Sequence, residues 1–229
     1  MKLIFKEKRQ IQGGVTEFIF TPNTHTSWKP GQYVHITLPN DDVDDQGDER
    51  WFTIVSAPFE KDIAIATRIA TENGSSFKNK LMNLSEGDEI EADEPNGSFT
   101  VNDLSKNYIF VAGGIGITPF RSMLAQMNND KNSANIELLY ANRDESTEAF
   151  KDELEALANS NDWFKLVNYY GNNHIDETAL RQAGNRAGNA HYYVSGPEPM
   201  VDVFKQTLID MGVAEDHMKF DYFPGYPGV

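Results

Sequence analysis

Hydrophobic and polar residues alternate in short segments through the first hundred residues of the chain. This period-two pattern predicts β-strands separated by turns. The strands predicted in this way are residues 15–20, 33–38, 51–55, 63–69 and 89–92. Residues 1–8 alternate charged and apolar side chains, and we expect them to form an edge strand of the same sheet. Strands of this length and spacing predict an antiparallel barrel or sandwich.

From about residue 104 onward, apolar runs alternate with segments of helical period. The predicted strands are 108–112, 136–140, 164–169, 191–194 and 218–222, and the predicted helices are 118–127, 148–157 and 199–211. In the first half, residues 75–84 also have a helical pattern. Alternating strands and helices predict an open, mostly parallel sheet with helices on both faces. We therefore expect two domains, an antiparallel β-barrel at residues 1–102 and a Rossmann-like α/β domain at residues 103–229.

The composition is that of a globular protein and excludes several kinds of site. Its 229 residues are 39% hydrophobic, and no apolar run reaches the ~18 residues of a membrane span. The first residues lack the long apolar core of a signal peptide, so we expect a cytoplasmic location. The absence of cysteine excludes disulfides, iron–sulfur clusters and thiolate metal sites. The five histidines show no metal-ligand spacing, and we predict no metal site.

The net charge of −15 at pH 7 disfavours two classes of partner. The phosphates of a nucleic acid would be repelled, and so would an anionic membrane surface. We therefore expect neither nucleic-acid binding nor membrane insertion. An acidic surface suits a basic or neutral partner, although solubility alone also explains it.

A glycine-rich segment after the predicted strand 108–112 is the strongest candidate for a binding site. Gly113, Gly114 and Gly116 follow that strand, and a predicted helix begins at Thr118 with Pro119 in its first turn. Bare backbone N–H groups and the positive end of the helix dipole suit a pyrophosphate. The spacing differs from the G-x-G-x-x-G dinucleotide fingerprint, and an ordinary strand–helix turn remains the alternative.

Four segments share their residue types and spacing with one family of enzymes. They are Arg50-Trp51-Phe52-Thr53, Gly113-Gly114-Ile115-Gly116-Ile117-Thr118-Pro119, Ser195-Gly196-Pro197-Glu198-Pro199-Met200 and Phe220-Asp221-Tyr222-Phe223. With a barrel followed by an α/β domain, the whole chain resembles the ferredoxin–NADP reductase superfamily. In that family the corresponding segments are a flavin motif, a nicotinamide-nucleotide loop, a segment lining the nicotinamide site, and a terminal carboxylate with an aromatic residue. The resemblance implies a flavoprotein that takes hydride from NAD(P)H.

The resemblance implies that the first half binds a flavin, with FAD favoured over FMN. Arg50 would pair with the flavin phosphate, because its donor fork fits the oxygens. Phe52 would pack on the isoalloxazine in place of the usual tyrosine, without the phenol hydrogen bond. The remaining residues implied for the flavin are Trp51, Thr53, Thr67, Arg68, Gly74, Ser75, Ser76 and Phe223. Each assignment has an alternative. Arg50 could be a charge at the end of a strand, Ser75 could cap a surface helix, and Phe223 could be an aromatic residue of the core.

The resemblance also implies the nicotinamide-nucleotide site. Its residues would be Gly113, Gly114, Gly116, Thr118, Pro119, Arg143, Ser195, Gly196, Pro197 and Met200. Ser195 stands where many members have cysteine. Arg143 is suited to a 2′-phosphate, whereas the next residues, Asp144 and Glu145, would repel one, so NADH is favoured slightly over NADPH.

The implied catalytic residues are Thr53, near flavin N5, together with Ser195 and Asp221. Hydride would pass from NAD(P)H to FAD, and electrons would then leave to a separate acceptor. That acceptor is a ferredoxin- or flavodoxin-like protein, or a small molecule such as free flavin, a ferric chelate or a quinone. Lys78, Lys80 and Lys106 are the hint of a basic patch for an acidic protein. The alternatives are a reductase subunit that docks on an oxygenase or cytochrome through the acidic loop 41–49, and a non-catalytic flavin-binding regulatory module.

Overall fold

The computed structural model describes residues 1–38, 44, 47–69 and 75–223. In its first half, six strands form one antiparallel sheet. They are β1 (Lys2–Ile11), β2 (Val15–Pro22), β3 (Tyr33–Thr37), β4 (Glu49–Thr53), β5 (Ile63–Arg68) and β6 (Glu89–Ala92), in the order β4-β3-β6-β1-β2-β5. Val55, just beyond β4, donates its N–H to the carbonyl of Ala64 in β5 at 2.8 Å, so the two outer strands approach each other. The predicted antiparallel barrel half is confirmed.

The prediction that residues 1–8 form an edge strand is wrong. β1 lies inside the sheet, where it pairs with β2 on one side and with β6 on the other. Its apolar residues Leu3 and Phe5 are buried in the barrel, while Lys2 and Lys6 form ion pairs at the surface. A charged outer face therefore gives an interior strand the alternating pattern of an edge strand.

The barrel encloses a hydrophobic core and is covered by a short helix, α1 (Ser76–Met82). Phe77 and Leu81 of this helix are buried against residues of the sheet such as Phe18, Val34 and Ile65. The helical period predicted for residues 75–84 therefore serves to pack one face of α1 on the barrel.

The second half is a five-stranded parallel sheet with helices on both faces, as the alternating pattern predicts. Its strands are β7 (Asn107–Gly113), β8 (Asn135–Asn142), β9 (Phe164–Tyr170), β10 (Ala190–Pro197) and β11 (Met218–Phe223), in the order β11-β10-β7-β8-β9. Its helices are α2 (Thr118–Asp130), α3 (Lys151–Ser160), α4 (Glu177–Ala187) and α5 (Glu198–Asp210). Helix α4 is absent from the sequence prediction, because it packs largely through small residues, Ala179 and Ala183, beside Leu180.

One hydrophobic cluster extends across the two halves of the chain. It joins Val15 and Ala64 of the barrel to Phe99, Phe110 and Phe120. Two further contacts meet on the carbonyl of Ser56, which accepts hydrogen bonds from Trp28 Nε1 at 3.2 Å and from Ser122 Oγ at 2.7 Å. The barrel and the parallel sheet therefore share a packed, hydrogen-bonded contact. Within the residues that the structure describes, no helix has both the length and the apolar character required to cross a bilayer.

Candidate active site

The glycine-rich segment lies at the carboxyl end of β7. The strand ends at Gly113, a single 3₁₀ turn covers Gly114–Ile117, and α2 follows at once with Pro119 in its first turn. Gly114 has a φ of +51°, which side-chain-bearing residues rarely adopt, and a Cβ there would point into open space. The Tyr140 hydroxyl donates to the Gly114 carbonyl at 3.0 Å and holds the turn against β8. This edge of a parallel sheet is where ligands of such folds bind.

The same turn packs directly on the connection between β10 and α5. A Cβ on Gly116 would lie 2.2 Å from the Ser195 carbonyl oxygen, and one on Gly113 would lie 2.3 Å from Met200 Sδ. The first contact is with backbone, so a larger residue at position 116 requires the main chain to move. The structure thus brings together Gly113, Gly116, Ser195 and Met200, which were predicted for one nucleotide site from segments about 80 residues apart in sequence.

Ser195 and Asp221 lie side by side on neighbouring parallel strands. They are paired in the register of β10 and β11, and Ser195 Oγ donates to Asp221 Oδ2 at 3.2 Å. Ser195 is fully buried, and burial raises the pKa of the Asp221 carboxyl to about 6, against the lowering effect of the serine hydrogen bond. Two residues predicted as catalytic are therefore adjacent. The predicted Phe223 ends β11, paired with Pro197.

Arg50 lies on the barrel at the start of α1, in a cluster that already holds an anion. Its Nη1 donates to the carbonyls of Gly47 and Glu49 at 2.9 and 2.7 Å. Its Nη2 contacts Asp44 Oδ1 at 3.3 Å and Ser75 Oγ at 3.4 Å.

The carboxylate of Asp44 also accepts a hydrogen bond from the backbone N–H of Ser76 at 2.8 Å. It therefore lies between the Arg50 guanidinium and the first N–H of α1. These donors suit a phosphate oxygen as well as a carboxylate, so the cluster fits the anionic part of a flavin nucleotide.

The rest of the predicted flavin motif divides between the two faces of β4. Phe52 lies on the face of Arg50, with its ring 5.8 Å from that of Phe77, and the Arg50 guanidinium is 5.3 Å from the same ring. Trp51 is on the opposite face, 57% exposed, and stacks on His35 at 4.1 Å. Thr53 is buried at the end of the strand. The structure brings Phe52, but not Trp51, to the Arg50 cluster.

The predicted flavin residues of β5 and the loop after it occupy different positions. Thr67 is buried in the strand opposite Thr16. Arg68 reaches the second half of the chain, where its Nη2 donates to the Thr147 carbonyl at 2.6 Å. Its own carbonyl accepts from Lys78 Nζ at 3.0 Å. Gly74 lies outside the described residues. Arg68 therefore connects the barrel to the second half of the chain through Thr147.

The loop after β8 contains the residues predicted to select between NADH and NADPH. Arg143 is exposed. The Asp144 carboxylate accepts hydrogen bonds from Ser146 Oγ at 2.5 Å and from the Thr147 N–H at 3.2 Å. The Ser146 hydrogen bond is the largest cause of a lowered pKa at Asp144. Asp144 is therefore a fixed anion beside Arg143.

Arg121 of α2 is a residue that the sequence analysis missed. Its guanidinium binds Glu60 of the barrel half through two hydrogen bonds of 2.5 and 3.1 Å, and it donates to the Val55 carbonyl at 3.2 Å. A third contact pairs its Nε with Glu153 of α3 at 2.9 Å. Burial lowers the pKa of this guanidinium, but the two carboxylates outweigh burial and raise it. No local pattern predicts these ion pairs, because their members are far apart in sequence.

Comparison with known proteins identifies relatives over nearly the whole chain. Residues 110–206 match the family model "Oxidoreductase NAD-binding domain". The chain is 25% identical, over 91% of its length, to a flavohemoprotein of Bacillus cereus. It is 27% identical, over 88% of its length, to the ferredoxin reductase component of a 3-ketosteroid-9-alpha-monooxygenase from Rhodococcus rhodochrous. It spans 57% and 58% of the lengths of these two relatives.

Two solved structures have the same fold. One is the FAD/NAD binding domain of a nitric oxide dioxygenase from Vibrio cholerae, with a TM-score of 0.79, 18% identity, and coverage of 97% of this chain and 98% of that one. The other is a ferredoxin–NADP⁺ reductase from Plasmodium falciparum in complex with 2′P-AMP, with a TM-score of 0.79, 17% identity, and coverage of 97% and 95%. In both cases the fold described here accounts for nearly the whole of the other chain.

Proposed function

Because the chain belongs to the ferredoxin–NADP reductase superfamily of FAD- and NAD(P)-binding oxidoreductases, we propose that it is a flavin reductase module that oxidises NAD(P)H and passes the electrons to a separate acceptor. The observation that carries this proposal is the meeting of the glycine turn, Ser195 and Asp221 at the carboxyl edge of the parallel sheet. We further propose a division into a flavin-binding domain at residues 1–102 and a nucleotide-binding domain at residues 103–229.

The Arg50 cluster is the proposed anchor for the flavin nucleotide. Arg50, Ser75 and Ser76 would hold the phosphates, with the donors that now face Asp44. Phe52 would pack beside the ring system, and Thr53 would lie at the edge where the two cofactors meet. FAD, when bound, supplies the chemistry of accepting a hydride and releasing electrons singly or in pairs. FAD is preferred to FMN on the family resemblance.

The glycine turn and the connection from β10 to α5 are proposed to hold NAD(P)H. The main chain of the turn Gly114–Ile117 borders the open space beside Gly114, and this space is where the pyrophosphate would lie. The Ser195 hydroxyl donates a hydrogen bond to Asp221, so the lone pairs of its oxygen are left to orient the nicotinamide carboxamide. An ionised Asp221 fixes that orientation, because a carboxylate accepts but does not donate.

NADH is the proposed donor in preference to NADPH. The anion at Asp144 is fixed by its local hydrogen bonds and would repel a 2′-phosphate, whereas Arg143 would attract one. We expect kcat/KM to be higher for NADH, and we expect Asp144→Asn to narrow the difference by raising kcat/KM for NADPH. A wild-type protein that oxidises NADPH much faster than NADH would contradict this preference.

The acceptor is proposed to be a small molecule such as free flavin, a ferric chelate or a quinone, or a ferredoxin- or flavodoxin-like protein. A relative is the reductase component of a monooxygenase, which favours a second candidate, a reductase that docks on an oxygenase or cytochrome. The net charge of −15 means that electrostatic docking would depend on salt. Rates with free flavin and with cytochrome c across ionic strength distinguish the two, since a salt-insensitive rate counts against docking.

Flavin binding tests the first half of the proposal. We expect the purified chain to bind FAD stoichiometrically, measured by quenching of flavin fluorescence. Arg50→Ala should weaken FAD binding by at least about ten-fold, because the substitution removes charge-assisted hydrogen bonds to the phosphate. Arg9→Ala is the matched control, since Arg9 is an exposed arginine of the same barrel paired with Glu7. A chain that binds neither FAD nor FMN would overturn the proposal, and equal effects of both substitutions would remove Arg50 from the phosphate site.

A further inference from the structure

Lys219 in β11 is a partly buried cation whose partners are main-chain carbonyls. Its Nζ donates to the carbonyl oxygens of Ser98 and Thr100, at 2.9 Å each. Burial lowers the pKa of this ammonium, and no carboxylate among the described residues compensates for it. Burying an ammonium group without a carboxylate partner costs more free energy than leaving it in water. The position of Lys219 therefore requires a physical explanation.

The carbonyls that Lys219 binds belong to the connection between β6 and β7, which joins the two halves of the chain. The Thr100 carbonyl also accepts a hydrogen bond from the Tyr193 hydroxyl at 3.1 Å. The Lys219 ammonium lies 5.1 Å from the centre of the Tyr193 ring, a cation–π distance. Phe99, between the two carbonyls, packs on that ring at 5.3 Å. Lys219 therefore fastens the last strand to the connection between the halves.

The register of the sheet relates this contact to the active site. Lys219 is paired with Tyr193, and Asp221, two residues further, is paired with Ser195. Side chains two apart on a strand point to the same face, so Lys219 and Asp221 share one face of β11. That face is the one on which Tyr193 joins the cluster extending to the barrel. Phe220 points the other way, toward α5.

We propose that Lys219 is a positioning residue for Asp221. By fastening β11 to the connecting segment, it holds the carboxyl group against Ser195 and keeps that carboxyl away from water. Lys219 itself has no contact with the reacting atoms. This inference rests on the proposed function for its kinetic consequence, while the placement of Asp221 is measurable without turnover.

Among the residues that the structure describes, few other groups act on the Asp221 carboxyl. On this face β10 presents Tyr193 and Ser195, and the turn Gly114–Ile117 brings no ionisable side chain to β11. Helix α5 packs on the opposite face, where Lys205 lies over the Phe220 ring at 5.9 Å. Burial is accordingly the main cause that raises the carboxyl pKa. Loosening β11 admits water and returns the pKa toward that of a solvated aspartate.

The test compares Lys219→Met with a control on the opposite side of β11, Lys205→Met in helix α5, in the FAD-reconstituted protein. The first readout is the titration of the Asp221 carboxyl by ¹³C NMR, assigned with Asp221→Asn. We expect a wild-type midpoint near 6, a midpoint about one unit lower in Lys219→Met, and no change in Lys205→Met. Lys219→Arg should restore the midpoint, because a guanidinium also reaches two carbonyls.

The second readout is the rate of flavin reduction by NADH in single-turnover experiments at pH 7. We expect a loss of about ten-fold in Lys219→Met, because the carboxyl and Ser195 lose their fixed geometry, and little change in Lys205→Met. The acid limb of the pH profile should move with the NMR midpoint. If Lys219→Met is not recovered folded, Lys219→Gln, with two donors on a shorter side chain, should lower the midpoint by about half a unit.

An unchanged Asp221 midpoint in a destabilised Lys219→Met or Lys219→Gln protein overturns the inference, because the lysine is then merely structural. A shifted midpoint in a chain that neither NADH nor NADPH reduces supports the placement of Asp221 and refutes the proposed function instead. The two failures are therefore distinguishable.

Discussion

The Arg121 guanidinium and the Glu60 carboxylate form a two-pronged ion pair between α2 and the barrel half, with hydrogen bonds of 2.5 and 3.1 Å. The Arg121 side chain is 12% exposed, and its guanidinium also binds Glu153 and the Val55 carbonyl. Loss of one carboxylate leaves a buried charge only partly compensated. This pair is therefore a principal polar contact fixing the barrel relative to the parallel sheet.

Glu60→Gln is expected to lower the free energy of unfolding by about 2 kcal/mol, because the desolvated guanidinium loses a charged partner. Urea unfolding at pH 7 measures the change. Glu177→Gln is the control, since Glu177 forms an exposed pair with Arg181 within α4 and should cost at most about 0.5 kcal/mol. Equal losses in the two variants would show that the Arg121 pair contributes no more than a surface pair.

Asp44→Asn is expected to tighten FAD binding. The Asp44 carboxylate occupies donors of Arg50 and Ser76 that we assign to the flavin phosphates, so bound flavin must displace it. We expect the Kd for FAD to fall about ten-fold, since removing the competing charge frees the charge-assisted donors. Asp48→Asn changes the net charge equally and should alter the Kd less than about two-fold. If Asp44→Asn weakens FAD binding, Asp44 supports the flavin site instead of competing for it.

Asp221→Asn is expected to stabilise the flavin-free protein at neutral pH. The carboxyl has a pKa of about 6 when folded, against the ordinary value of 3.8. Between these values the folded state binds more protons than the unfolded state, so the free energy of unfolding decreases as pH rises through the folded pKa. Replacing the buried charge should therefore add about 2 kcal/mol at pH 7.5 and nothing near pH 3.5.

Urea midpoints at the two pH values measure this difference. Exposed Asp202→Asn in α5 is the control and should show no pH-dependent gain. A gain for Asp221→Asn that is equal at both pH values would mean that charge burial is not its cause.

The fold and the proposed nucleotide site could largely be predicted from the sequence, because their signals are local. The turn from Gly113 to Thr118 lies within one short segment, and its strand and helix have clear periods. The family resemblance implied both Ser195 and Asp221 as catalytic residues. Their contact itself depends on the parallel pairing of β10 with β11, which no local pattern specifies.

The features that the sequence did not predict depend on distant or ambiguous contacts. The place of β1 inside the sheet was missed because its charged outer face has the pattern of an edge strand. Arg121 and Glu60 are 61 residues apart, and Lys219 meets a carbonyl 119 residues earlier. Asp44 belongs to an acidic stretch, in which composition alone gives no reason to single out one carboxylate.

Anaerobic stopped-flow mixing of the FAD-reconstituted chain with NADH tests the central proposal most directly. We expect the flavin absorbance near 450 nm to bleach in a single fast phase, and NADH deuterated at C4 to slow that phase about three-fold or more, since hydride transfer is then the observed step. A chain that binds FAD but is bleached by neither NADH nor NADPH would contradict the proposal that its glycine turn, Ser195 and Asp221 form a nicotinamide site.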